Sequence, residues 1–464
     1  MTPGRRPGLE TAFLWLGPAV AALVLWLSVQ AWGLSVPAAA TAAVTAWCAV
    51  WWLTEPVPIP VTSLLPMALL PLAGALTPGQ VAESYGSPLI LLLLGGFMLS
   101  GALAKSGAHR RLAMAMIRAC SMFGRKGLVL GFMLAAATLS MWISNTATTL
   151  MLLPVALAVL EDEKLKSLTV PLLLGTAYAA SLGGTGTPIG TPPNLIYMQV
   201  AADQFQLATS FPVWMSWGLP VVALLLPIMF MWLTRRVEAG PLPVLEVPGR
   251  WSPAEKRIMF VFVLVALAWI TRTAPGGGWQ EWLALPNAND AAVALLAVVL
   301  MCVLPDGRGK RLLDWERAST IPWGVLLLFA GGICLARGFV SSGLSDLMGL
   351  WLSGFTDLPL LLLIAFVCLC VTFMTEATSN TASTSLLMPV LAAAAIAADI
   401  APEIIMVPAA MSASCAFMLP VATAPNSVVY GSGLVSTARM AREGLQLNLL
   451  GVVVISVCCY VTLS

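Results

Sequence analysis

The tripeptide Ser-Asn-Thr occurs twice in this chain, each time in the middle of an apolar stretch: Ser144-Asn145-Thr146 and, 235 residues later, Ser379-Asn380-Thr381. Each copy is followed at the same distance by a proline, Pro154 and Pro389. A second polar, proline-broken segment comes next, GTGTPIGTPPN ending at Asn194 and PVATAPN ending at Asn426. The surrounding chain is 59% hydrophobic and 9% charged, against roughly 25% charged in soluble domains, so it reads as a polytopic helical membrane protein. In hydrocarbon, polar side chains and helix breaks are costly unless they line a cavity or bind something. Two matched pairs of them, one pair per half, imply an internal repeat whose halves meet at a binding site, as in secondary transporters.

The repeat extends beyond these motifs. LLLLGGFMLSGALAKSG, with Gly95-Gly96 and Ser106-Gly107, is echoed by LLLFAGGICLARGFVSSG, with Gly331-Gly332 and Ser342-Gly343, at an offset of 236. The Pro-Asn pairs are offset by 232. Apolar windows of about 20 residues place spans near 11–31, 37–54, 61–78, 87–104, 213–234, 258–274, 290–305, 321–338 and 445–463. Residues 128–160 and 359–396 are interrupted at the middle by the tripeptides. Each arm of the first is about 14–16 residues, or about 21–24 Å of helix, too short for a core of about 30 Å. Both segments are therefore expected to be re-entrant hairpins with the tripeptide at the tip. Residues 170–200 and 403–433 can cross, but their Gly/Pro-broken middles predict discontinuous helices.

Charge assigns the sides. The segment Lys105–Lys126 holds Lys105, Arg110, Arg111, Arg118, Arg125 and Lys126 and no acid, whereas Arg337–Asp357 holds one Arg and two Asp. By the positive-inside rule the first is cytoplasmic and the second external, so equivalent segments lie on opposite sides and the repeat is inverted. The linkers 235–257 and 306–317, with Arg439 and Arg442, fit the cytoplasm. This threading puts the N-terminus inside and the C-terminus outside. The expected units are an N-terminal helix (1–36), a first repeat (37–234), a cytoplasmic linker (235–257) and a second repeat with the C-terminal helix (258–464). Arg5 and Arg6 precede the first apolar run, which reads as a retained transmembrane helix or an uncleaved signal anchor.

Other classes find little support. The single histidine, His109, sits among arginines and is expected to be solvated. The nine cysteines lack metal spacing and read as small membrane hydrophobes. No HExxH, GxSxG or paired-Asp arrangement suggests an intramembrane hydrolase, and no basic patch with interleaved aromatics suggests nucleic acid. Glu55, ahead of three prolines, reads as a structural turn. Trp47, Trp51 and Trp52 read as an interfacial belt or dimer packing. Glu376, inside the second hairpin arm, either supports a cation site from behind or pairs with a basic group, since an unpaired intramembrane carboxylate is costly.

At the tips, hydroxyls, amides and the backbone groups freed by helix breaks can serve both an anion, at helix N-terminal ends, and a cation, at C-terminal ends. The paired Ser-Asn-Thr tips, the GTPPN and ATAPN segments and the inverted repeat resemble the divalent anion/sodium symporter family, which includes the bacterial INDY-type dicarboxylate transporters. The resemblance covers essentially the whole chain. It implies an all-α polytopic membrane protein of about 11 transmembrane helices with two re-entrant hairpins, in scaffold and transport domains. It further implies a homodimer in the bacterial inner membrane, working by an elevator motion, with a dicarboxylate between the tips and Na⁺ as coupling ion at two or more sites. No other cofactor is expected.

By that resemblance one Na⁺ site falls on Ser140, Ser144, Asn145 and the Gly190 backbone. The other falls on Thr375, Thr378, Asn380 and the Ala422 backbone. Substrate contacts fall on Asn145, Thr146, Thr191, Pro192, Ser379, Asn380, Thr381 and Thr423. One departure is Ala424, which stands where Pro192 stands in the first repeat and is expected to loosen the second break. The leading function is Na⁺-coupled uptake of C4-dicarboxylates such as succinate, malate or fumarate. The alternatives are dicarboxylate exchange without net Na⁺ coupling, or transport of sulfate or a tricarboxylate on the same fold.

Overall fold

The computed structural model describes residues 7–240, 242, 249–274, 276–344, 359–397 and 399–463. Arg5, Arg6, most of 241–248, and both acids of the loop expected outside, Asp346 and Asp357, lie outside the described residues. Among those described, the structure is helical throughout, with a lone antiparallel bridge between Pro305 and Arg311.

The first half comprises α1 (Pro7–Gln30), α2 (Val36–Thr54), α3 (Ile59–Thr62), α4 (Leu64–Leu72), α5 (Pro78–Tyr85), α6 (Pro88–Ser106), α7 (Ala108–Ser121), α8 (Gly124–Ser140), α9 (Asn145–Leu160), α10 (Thr169–Gly183), α11 (Pro192–Phe205) and α12 (Phe211–Thr234). The second comprises α13 (Pro253–Ile270), α14 (Gly278–Trp282), α15 (Asp290–Val303), α16 (Trp315–Ala318), α17 (Trp323–Ser341), α18 (Leu360–Glu376), α19 (Asn380–Ala397), α20 (Glu403–Ser414), α21 (Ala424–Tyr430) and α22 (Thr437–Leu463). Ser or Thr before Pro marks many of the starts: Ser35 and Ser87 accept from the backbone N–H groups of Ala38 and Ile90, and Thr77 and Ser252 close full capping boxes with Gln80 and Glu255.

Seven helical stretches among the described residues are long and apolar enough to cross a membrane, from Thr11–Gln30 to Thr437–Leu463. One expected span is clearly shorter than the apolar pattern suggested, and another is shifted. The 61–78 window is a 14-residue stretch, Ile59–Leu72, closed by Gly74 in the left-handed conformation. The 258–274 window is shifted rather than shortened: its helix runs from Pro253 to Ile270, started by the Ser252 capping box. The hairpin arms α8/α9 and α18/α19 fall within four residues of their expected limits.

The repeat is inverted in space. α6 and α17 are equivalent helices, carrying Gly95-Gly96 and Gly331-Gly332. Lys105, at the end of α6, pairs with Asp314, ahead of α17. At the other end, Glu83, just before α6, meets Arg337 near the end of α17, Oε2 3.1 Å from Nη1. The two helices therefore run in opposite directions. The Lys105 ammonium holds the Asp314 carboxyl below the usual carboxylate range. Arg111 donates to Glu255 at 3.0 Å, so the basic segment after α6 shares a face with the starts of α13 and α16, as the charge pattern requires.

The same close approach occurs in both halves: Gly95 lies against Ala294 of α15, and Gly331 against the backbone of Ser63 beside α4. At the centre, α10 and α20 are buried almost along their whole length. The segments after the two breaks are exchanged: α21 packs on α9 and α10, and α11 packs on α19 and α20.

Two expectations are corrected. His109 is buried, its Nδ1 3.1 Å from the Leu103 carbonyl, and burial lowers its pKa below the usual imidazole value. The tryptophan cluster packs within the chain: Trp52 is 1% exposed and donates to Ser63 Oγ at 3.3 Å, while Trp47 and Trp51 form an edge-to-face pair seated over Gly17 of α1. Glu55 is a turn, capping α2 in the left-handed conformation with its N–H donating to Trp51 O. A Cβ at Gly331 would lie 2.5 Å from the Ser63 carbonyl oxygen, whereas one at Gly101 meets nothing within 4 Å. Gly331→Ala is expected to cost about 1–3 kcal/mol through backbone displacement, and Gly101→Ala to be neutral or stabilising by up to about 1 kcal/mol. Thermal unfolding in detergent checks this; equal melting temperatures for both variants would refute the close crossing.

Candidate transport site

Each half contributes a hairpin turn and a broken helix. The turns are Met141–Ser144, between α8 and α9, and Ala377–Ser379, between α18 and α19. The breaks run from Gly184 to Thr191, between α10 and α11, and from Cys415 to Thr423, between α20 and α21. A break frees backbone groups that water cannot reach, and these must find partners.

Equivalent asparagines meet part of this need. Asn194 Nδ2 donates to Gly184 O at 3.0 Å and Thr187 O at 2.8 Å. Asn426 Nδ2 donates to Ala416 O at 3.1 Å and Leu419 O at 3.0 Å. Trp214 Nε1 donates to Thr185 O at 2.9 Å. Each Pro-Asn motif thus folds its amide back over its own break.

The second break also has free N–H groups, and Glu376 receives them. Its carboxylate accepts from Met418 N at 2.8 Å, Leu419 N at 2.9 Å and Asn448 Nδ2 at 2.6 Å. Asn448 Oδ1 in turn accepts from Phe417 N at 3.1 Å. Of the two readings of Glu376, pairing with a basic group is set aside: its recorded partners are backbone and amide donors. Asn448 was missed in the sequence because a lone Asn in a C-terminal apolar helix carries no local pattern.

The tips are built alike. Ser140 Oγ donates to Asn145 Oδ1, and Thr375 Oγ1 lies 2.8 Å from Asn380 Oδ1 and 3.1 Å from Ala413 O. Thr149 and Thr384 hydroxyls donate to the Asn145 and Asn380 carbonyls at 2.9 and 2.7 Å. Thr187 donates to Met141 O, fastening the first break to the first tip. Gly184 and Gly190 cross so closely that a Cβ on Gly190 would lie 2.4 Å from the Gly184 carbonyl oxygen.

Tips and breaks surround one cavity of about 390 Å³. All eight expected substrate residues line it: Asn145, Thr146, Thr191, Pro192, Ser379, Asn380, Thr381 and Thr423. Of the expected Na⁺ residues, Ser144, Asn145, Gly190, Asn380 and Ala422 line it as well. Ser140, Thr375 and Thr378 do not; they stand one layer behind, with Ser140 and Thr375 against the tip asparagines and Thr378 against Ser383. The remaining wall includes Phe97 and Ser100 of α6, Trp142, Pro322 and Val325. Sequence reasoning missed these because each is an ordinary residue of an apolar segment. At Ala424 the second break opens into a capped helix. Thr423 caps α21 by accepting from Asn426 N at 3.2 Å, with Pro425 behind it, whereas Thr191 makes no such side-chain cap.

Among the described residues, none that lines the cavity is charged. Its potential comes from backbone. α9, α11, α19 and α21 all begin at lining residues, aiming N-terminal dipole ends at the cavity, while α8, α10, α18 and α20 end beside it. N-terminal ends favour an anion and C-terminal ends a cation, so the arrangement suits an anion bound together with cations.

Hairpin tips and broken helices meeting at a polar cavity between inverted repeats define a secondary transporter. The chain belongs to the family described as the sodium:sulfate symporter transmembrane region, whose model matches residues 12–462; this is the divalent anion/sodium symporter family. It is 37% identical over 473 residues to the sodium-dependent dicarboxylate transporter SdcS of Staphylococcus saprophyticus, spanning 96% of this chain and 90% of that one. It is 36% identical over 443 residues to the protein of that name in Staphylococcus aureus, spanning 90% and 84%. The crystal structure of the Alcanivorax borkumensis YdaH transporter shares the fold, with a TM-score of 0.59 at 16% identity over 82% of this chain and 86% of that one.

Glu376→Gln keeps one acceptor oxygen and sets an amide N–H₂ against a backbone donor. Each lost hydrogen bond to the carboxylate is worth about 1.5–3 kcal/mol. The variant should melt lower and lose most uptake. Unchanged melting with a shifted Na⁺ dependence would instead make Glu376 part of a cation site.

Proposed function

We propose that this protein carries C4-dicarboxylates such as succinate, malate or fumarate into the cell, coupled to Na⁺. The observation that carries the reading is the cavity itself: uncharged, walled by two equivalent Ser-Asn-Thr tips, and faced by four helix N-termini. Two tips facing one space suit an anion with two charged ends better than sulfate, and the relatives are named as sodium-dependent dicarboxylate transporters. Hydroxyls and amides bind carboxylates weakly enough for release, where Arg or Lys would hold them.

In this reading Thr146 and Thr381 donate to the carboxylates, with Thr191, Pro192, Ser379 and Thr423 shaping the space. One Na⁺ takes Ser140, Ser144, Asn145 and the Gly190 carbonyl; the other takes Thr375, Thr378, Asn380 and the Ala422 carbonyl. The transport domain is the set α8–α12 and α18–α22. It carries every candidate ligand, so the site stays intact only if these helices travel together, and the scaffold of α1–α7 and α13–α17 holds the membrane and a homodimer contact. Arg337, whose guanidinium reaches Asp203 at 3.2 and 3.3 Å, is the one ion-paired residue bridging the two sets among the described residues. An elevator stroke would part that pair in every cycle.

Thr→Val keeps shape and removes the donor, costing about 1.5–3 kcal/mol of charge-assisted hydrogen bonding. Thr146→Val and Thr381→Val should each weaken apparent succinate affinity at least tenfold at normal expression, measured by uptake competition in proteoliposomes. Wild-type affinity in both, or stronger competition by sulfate than by succinate, would overturn the assignment.

A further inference from the structure

A second, smaller cavity of about 120 Å³ lies away from the transport site, and its wall is basic. Lys166, Arg235, Arg236 and Arg439 line it, with one acid, Glu443. They come from three places: the turn before α10, the end of α12 and the start of α22. The end of α12 and the start of α22 stand on the side that the loop charges assign to the cytoplasm, and the cavity joins the turn before α10 to them.

The arrangement is fixed in place. Glu443 is 1% exposed and accepts from Trp232 Nε1 at 2.9 Å and Arg235 Nη2 at 2.8 Å, while Arg439 Nη2 reaches its other oxygen at 3.0 Å. The Arg235 guanidinium also lies 3.9 Å from the Trp232 ring centroid. One carboxylate thus orders two arginines, and it neutralises only one of the four cations. Lys166 has an exposed partner in Glu163. Among the described residues, Arg236 makes no ion pair and the buried Arg439 Nε has no hydrogen-bond partner. Excess positive charge, preset guanidinium planes and a buried donor give this cavity the chemistry of an anion site, and guanidinium groups match phosphate oxygens in pairs.

We propose that this cavity binds a phosphate group on the cytoplasmic side. Basic pockets between transmembrane helices on that side take anionic lipid headgroups, and a free phosphate offers the same oxygens. The occupant would tie together α10, which leads into the Gly184–Thr191 break, α12, whose Trp214 holds that break, and α22, whose Asn448 holds the other. Occupancy would therefore stiffen both breaks from a distance.

The test uses the full chain, delipidated in a neutral detergent. Thermal unfolding is followed while phosphatidylglycerol, phosphatidylcholine or inorganic phosphate is titrated in. Binding of phosphatidylglycerol but not phosphatidylcholine, weakened by salt, is the result expected for a headgroup. Stabilisation by inorganic phosphate at equal or lower concentration assigns a free phosphate. Lys166→Gln and Arg236→Gln, which leave the Glu443 contacts intact, should each raise the half-effect concentration at least fivefold, with unchanged melting when no probe is present. If either variant cannot be recovered folded, salt titration of the probe effect on the wild type takes its place. No stabilisation by either anionic probe, or equal stabilisation of both variants and wild type, would overturn the proposal.

Discussion

The structure depends on how two interrupted helices are kept open inside an apolar protein. A transmembrane helix satisfies its own backbone; a broken one exposes N–H and C=O groups where no bulk water can reach them. Here the carbonyls are met by Asn194 and Asn426, and by the Trp214 indole. The amides of the second break are met by Glu376 and Asn448. With those groups satisfied from behind, the front of each break is left to face the cavity. A small set of polar side chains behind the site thus makes a charge-free binding surface compatible with a stable fold.

The halves are equivalent without being identical. The tip asparagines, their hydroxyl partners and the folded-back amides recur at nearly constant offset. The first break is fastened to its tip through Thr187, and the second through Glu376. Exchange of α11 and α21 between the halves means that neither site half is complete on its own. Ser414 Oγ, 3.3 Å from Thr191 Oγ1, joins the two breaks directly. Substrate bound between them would touch both repeats at once.

Much of this was legible in the sequence because polar residues in hydrocarbon are rare enough to be informative. The tripeptides, the Pro-Asn segments and the paired glycines marked hairpins, breaks and helix crossings, and the eight residues assigned to substrate all line one cavity. What escaped had no local pattern. Phe97, Ser100 and Val325 belong to apolar helices, and only tertiary packing shows which side faces the cavity. Asn448 is a single polar residue far from the break it serves. His109 looked solvated because its neighbours are arginines, yet the fold turns its ring inward. The span at 61–78 was overread because a hydropathy window does not register the left-handed Gly74 that closes the helix, and the one at 258–274 was placed too late because the window skips the charged first turn that the Ser252 capping box starts.

The central claim is that one cavity couples an anion with two charged ends to Na⁺. The direct test is radiolabelled succinate uptake into proteoliposomes, with and without an inward Na⁺ gradient and with or without dicarboxylate inside. Uptake that rises steeply with external Na⁺, fails in choline and needs no internal dicarboxylate is the result the account predicts. Uptake insensitive to Na⁺ and accelerated by internal dicarboxylate would contradict it, and would leave an exchanger on the same fold.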